Sequence, residues 1–103
     1  MQEQIQQLLQ VIIDDYNQMG FTQQQMEEFP AILTVNYGRK YIKICFEHLV
    51  CWGFIVNTDD DAKFRRGDIL KPACYSAPAR NQARGNILTG GYMVRWTGPL
   101  YLK

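Results

Sequence analysis

AILTVNYGRKYIKICFEHLVCWGFIVN, residues 31–57, decides the fold. Apolar side chains alternate with polar ones, and β-branched and aromatic residues dominate, the pattern of strands with one buried face. Three strands follow: Ile32 to Tyr37, Arg39 to Phe46 and Val50 to Asn57, with Gly38 turning the chain between the first two. If Phe46 pairs with Val50 across the loop between them, Ile44 faces Trp52 and Ile42 faces Phe54, so the large apolar side chains share one face. The other face then carries Cys45 opposite Cys51, Lys43 opposite Gly53 and Tyr41 opposite Ile55. It is expected to be the more exposed, with Lys43 pointing outward.

Upstream the period is helical. Ile5, Leu8, Leu9, Ile12, Ile13, Tyr16 and Met19 fall on one face of a helix over roughly residues 2–19, which Gly20 stops. So wide an apolar stripe must be covered, by the sheet or by a second copy in a homodimer through this helix. Thr22 with Gln25 makes a capping-box pattern, predicting a short second helix from Gln23 to Phe29 that Pro30 closes. The many glutamines belong to solvated faces. The apolar stripe beside them argues against disorder.

Downstream, Asn57 to Ala62 reads as a polar loop and Asp68 to Ala73 as a strand that Pro72 places at an edge or bends. Ser76 as N-cap, Pro78 in a first turn and Gly85 as a stop predict a short helix from Ala77 to Arg84. Tyr92 to Trp96 is a last strand before the Thr97-Gly98-Pro99 turn. The whole is an α+β domain: leading helices, then a curved, mostly antiparallel sheet of about five strands with one inserted helix. The chain has 103 residues, 47% of them hydrophobic, which suits a single domain over 1–103 with a helical part (1–29) and a β-rich part (31–103).

Charge is distributed unevenly. Lys63, Arg65, Arg66, Lys71, Arg80 and Arg84 face the single acid Asp68 between Lys63 and Leu88, whereas the first thirty residues hold five acids and no Lys or Arg. This implies an anionic partner for the basic part, or the two parts packing on each other. On the predicted helix Arg80 and Arg84 project from one side, about 5.4 Å apart along the axis. Together with Arg65, Arg66, Arg39 and Lys40 they define a candidate phosphate-binding face. The plainer reading is solvated arginines paired internally with Asp68 or with the acidic first helix. Phe64, Tyr75 and Tyr92 interleave only loosely with these cations, and no zinc-finger or RNA-recognition motif is present.

Other constellations are weaker. Cys45, His48 and Cys51, with Cys74 as a fourth ligand, suggest zinc, but a hairpin spreads such ligands apart, so no metal or other cofactor is expected. Asp59, Asp60 and Asp61 are consecutive, so their side chains diverge in what reads as a solubilising loop. One histidine, no nucleophile elbow and no phosphate-binding glycine pattern leave catalysis the least supported class. The apolar run Leu8 to Ile13 is far short of the ~18–20 residues of a membrane span. Three cysteines, an odd number, and an N-terminus without a basic leader fit a cytosolic setting.

The runs KFRRGDILKPA (63–73) and PARNQARGNI (78–87), with YIKI before and RWTGPL after, resemble small uncharacterised proteins of tailed bacteriophages. In those a GDILK-like strand leads into an ARGNI-like segment and a WTG ending. The resemblance covers roughly residues 38–100 and implies a phage origin and a host-cytoplasmic setting, with no catalytic residue to carry over. Phe64 to Leu70 also looks like the strand approach of SH3-like small barrels. The function expected is a non-catalytic phage accessory protein that binds nucleic acid through phosphates. Its rival is an interaction module presenting the same face, Lys71 included, to an acidic host protein. An enzyme of unrecognised chemistry is a third, weaker alternative.

Overall fold

The structure, a computed structural model, describes residues 1–46 and 50–99. Two helices, α1 (Gln2–Asn17) and α2 (Gln23–Ile32), precede β1 (Leu33–Tyr37), β2 (Tyr41–Phe46), β3 (Val50–Val56) and β4 (Ile69–Leu70). These four strands form one antiparallel sheet in the order β1-β2-β3-β4. Two hairpins follow, β5 (Pro72–Cys74) with β6 (Ala77–Pro78) and β7 (Val94–Arg95) with β8 (Gly98–Pro99). The fold is α+β. The sheet is open and not a closed barrel, because β4 has two residues and its far side is occupied by the Arg84–Ile87 segment.

α1 spends its stripe within the chain. Ile5, Leu8 and Ile12 are fully buried against Ile42, Ile44, Trp52, Ile55 and Ile69 of the sheet. At the far end of α1, Tyr16 stacks on Phe21 and Phe29 with ring centroids 4.2 and 3.9 Å apart, and Trp96 meets Tyr16 edge-on at 5.1 Å. Asp15 fixes that end, accepting the Trp96 N–H at 2.9 Å and lying 3.5 Å from the Arg95 guanidinium. Among the described residues the ion pair of the acidic helix is with Arg95, which lies outside the basic stretch. Both halves of the capping box at Thr22 and Gln25 form, at 3.1 and 2.9 Å.

The second helix does not stop at Phe29. It runs through Pro30 to Ile32. A proline in the last turn removes the donor for only one upstream carbonyl, and the buried Phe29, wedged between Tyr16 and Trp96, holds the turn over that loss.

The β2–β3 register holds as expected at Phe46↔Val50 and Cys45↔Cys51, then shifts by one residue, with Ile44↔Gly53, Lys43↔Phe54 and Ile42↔Ile55. Trp52 is the extra residue of a bulge. The slip exchanges the faces beyond it. Ile55 joins the helix-side core in the place expected for Phe54, and Tyr41 pairs with Val56. Phe54 turns to the other face, where it forms a second buried cluster with Val56, Phe64 and Leu70. That face is therefore covered in part, and Lys43 lies half-buried with its ammonium 3.3 Å from the Tyr75 ring centroid.

The strand expected over Asp68–Ala73 is split at Lys71, since Pro72 has no N–H to continue the ladder and instead opens β5. The helix expected from Ala77 to Arg84 does not form. Ala77 and Pro78 pair with Cys74 and Pro72, Ala79 N–H donates to the Lys71 carbonyl at 2.7 Å, and Arg84 N–H to that of Ile69 at 2.7 Å. An isolated helix of so few residues is marginal, and long-range pairing to β4 and β5 takes its backbone groups. The expected strand Tyr92–Trp96 shortens to Val94–Arg95.

The GDI and RGNI fragments are laced together. Asp68 bridges Asn86, Ile69 N–H donates to Gly85 and Ile87 N–H to Gly67, at 2.8 and 2.9 Å. Asn86 Nδ2 donates to Asp68 Oδ1 and the Arg66 carbonyl, both at 2.9 Å, while its Oδ1 accepts Leu88 N–H at 2.7 Å and Thr89 N–H at 3.2 Å. At Gly85, φ is +135° and a Cβ would lie 2.5 Å from Cβ of Tyr92, so only glycine fits.

Candidate anion-binding groove

β3 runs antiparallel to β2, so the loop after β3 lies beside the turn before β2. Asn57 ties the two: its N–H donates to the Lys40 carbonyl at 2.7 Å and its Nδ2 to the Gly38 carbonyl at 3.0 Å. Between the Gly38–Lys40 turn, the Thr58–Ala62 loop and Arg80 lies a groove of about 630 Å³. Arg39, Lys40, Tyr41, Asp60 and Asp61 contribute to its walls.

Asp61 organises this end of the molecule. Its Oδ1 accepts the N–H groups of Lys63 at 2.8 Å and Phe64 at 2.9 Å, turning the chain into the second core. Both of its oxygens receive the Arg80 guanidinium, Nη2 to Oδ1 at 2.8 Å and Nη1 to Oδ2 at 2.9 Å, a bidentate pair. Arg80 Nη1 also donates to the Tyr41 hydroxyl, and its guanidinium lies 5.0 Å from the Phe64 ring centroid. Lys63 Nζ donates to the carbonyls of Arg80 and Asn81 at 2.7 and 2.9 Å. Arg80 is thus held in one orientation at the rim, its side chain still 41% exposed.

The Arg80 pair, followed by the two backbone N–H donors, holds the Asp61 carboxyl well below its ordinary value of 3.8. A carboxyl depressed on folding contributes stability above its unfolded value and loses it as the pH falls toward its folded one. Wild type should therefore be more stable than Asp61→Asn at neutral pH, and the gap should narrow below pH 3.8. Urea midpoints across that range check this; a gap independent of pH would break the link to the carboxylate.

The other sequence-predicted residues divide. Arg39 and Lys40 are exposed on the turn, and with Arg65 they have no ion-pair partner among the described residues. Arg66 does not line the groove; it donates to Asn57 Oδ1 at 3.1 Å and pairs with the exposed Asp59 at 3.1 Å. Lys71 lies away from it, half-buried in a smaller groove of about 240 Å³ beside Trp52, Pro72 and Pro99. Arg84 is buried, 1% exposed, with Nη2 3.5 Å from Asn81 Oδ1, so it does not share a face with Arg80. The basic stretch is therefore not one patch. Two of its cations, Arg66 and Arg80, are answered by Asp59 and Asp61 of the run that reads as a mere solubilising loop.

Of the residues weighed and set aside as zinc ligands, His48 lies outside the described residues. Cys45 is buried opposite the half-buried Cys51, whose thiol is pushed up to about 11 by burial and by Cys45; Cys74 is exposed on the β5–β6 hairpin. Among the described residues no group of three His, Cys, Asp or Glu could hold a metal ion, and no helix is long and apolar enough to cross a membrane. Comparison with protein-family models, curated proteins and solved structures gives no match to this chain.

Proposed function

We propose that this protein is a non-catalytic nucleic-acid binder that takes phosphates in the groove between Arg39, Lys40 and Arg80. The observation that carries the reading is their convergence from separate parts of the chain onto one concavity, with Arg80 fixed beforehand by Asp61 and Tyr41. A fixed guanidinium loses little freedom on meeting an anion, and two free cations beside it supply the field. Binding is favoured over catalysis because Asp61, the half-buried carboxylate of the groove, is already committed to Arg80. The setting implied by the phage resemblance, an infected host's cytoplasm, belongs to the same proposal.

Fluorescence anisotropy with single- and double-stranded oligonucleotides tests it. Affinity should fall steeply with salt, and Arg39→Glu with Lys40→Glu should abolish binding while the melting temperature stays put, since both residues are exposed. Each lost phosphate contact should flatten the salt plot by about one unit. No binding to either form at low salt would end the reading.

One observation favours the rival, a host-protein partner. Asp60 is exposed in the same groove, so its rim offers both signs of charge, a pattern suited to a protein surface. A host protein retained in pull-downs after nuclease treatment and lost with the double variant would take the place of nucleic acid.

A further inference from the structure

The two edges of the sheet are treated differently. At β4 the ladder is continued by the chain itself, through Ile69 N–H to Gly85 and Arg84 N–H to Ile69. At β1 no described strand continues it. Gly38 N–H donates to the Tyr41 carbonyl at 2.9 Å, which makes Gly38 and Tyr41 a hydrogen-bonded pair. Such pairs alternate along an antiparallel ladder, so Asn36 and Thr34 turn their backbone groups toward β2. Leu33, Val35 and Tyr37 then direct theirs outward.

Nothing in β1 guards this edge. The strand LTVNY has no charge, no proline and no bulge, the usual devices against edge-to-edge pairing. We infer that β1 is the contact through which two copies of this chain associate, pairing antiparallel about a two-fold axis at Val35. A second copy answers every position. The three outward N–H and C=O sets are symmetric about Val35, so Leu33 pairs with Tyr37 of the partner and Val35 with its own counterpart. Tyr37, 53% exposed in the single chain, would lie across the partner's half-buried Leu33, and Thr34 beside Asn36 on the other face. α1 cannot serve in this way, because Ile5, Leu8 and Ile12 are already in the core. A five-residue strand makes a small contact, so the dimer is a weak, concentration-dependent one.

Sedimentation equilibrium of the full chain should show a mass rising from 12.0 kDa toward twice that value across the micromolar range. The amides of Leu33, Val35 and Tyr37 should become protected from hydrogen exchange over the same range. Val35→Pro should hold the mass at 12.0 kDa without loss of fold, because its N–H makes no bond within the sheet. Val35→Lys, which sets like charges face to face on the axis, serves if the proline variant does not fold. A mass of 12.0 kDa at every concentration, a dimer without protection of the Val35 amide, or a folded Val35 variant that still dimerises would each overturn the inference.

Discussion

Replacing Trp52 with Ala should lower stability by about 3–5 kcal/mol, enough to unfold much of the population of a small domain. Trp52 is fully buried at the bulge, where the helices, the sheet and the C-terminal hairpin meet. Its indole N–H donates to the Arg95 carbonyl at 2.8 Å, so the substitution opens a large cavity and also releases the β7–β8 hairpin. Trp52→Phe keeps most of the volume and gives up the bond, and should cost only about 1–2 kcal/mol. Urea denaturation checks both. A loss under about 1 kcal/mol for the alanine variant would mean that the site collapses around the gap, and the packing described here would be wrong.

Asn86→Ala should cost about 2–4 kcal/mol, more than most polar substitutions, because one side chain satisfies four groups at a buried position. Its loss takes a donor from the buried Asp68 carboxylate and leaves the Arg66 carbonyl without the bond that Nδ2 supplies. Asn86→Asp should be worse at neutral pH, since two carboxylates would share the place of one bonded pair, and should recover as acid protonates one of them. Thermal melts at neutral and acidic pH read this directly. If both variants melt like wild type, the lacing contributes nothing.

The α+β class, the first helix and the first three strands were legible because each rests on a long periodic signal that tertiary context does not reverse, and the second helix because its capping box marks its start. The bulge was not: nothing local tells whether Ile44 faces Trp52 or Gly53, and one residue of slip moved Phe54 and Ile55 to opposite faces. Ala77–Arg84 was misread because Ser76, Pro78 and Gly85 suit a capped helix and a hairpin equally. Contacts with Lys71 and Ile69, distant in sequence, decided between them. At the site, composition identified Arg39, Lys40 and Arg80 but could not pair charges. The consecutive aspartates do diverge: Asp59 meets Arg66, Asp61 meets Arg80, and Asp60 is left to the groove. The spacing of Asp61 from Lys63 and Phe64, typical of a side-chain-capped turn, was the signal available for its role.

The lacing of Gly67–Ile69 to Arg84–Ile87 separates what holds the shape from what meets solvent. Its residues face inward, joined to one another. A substitution there acts on the shape. The Gly38–Lys40 turn, held to the rest by Asn57, is exposed. Side chains on that turn can therefore be exchanged without unpicking the inner fragments, so the shape of the molecule and the chemistry of its rim are separable.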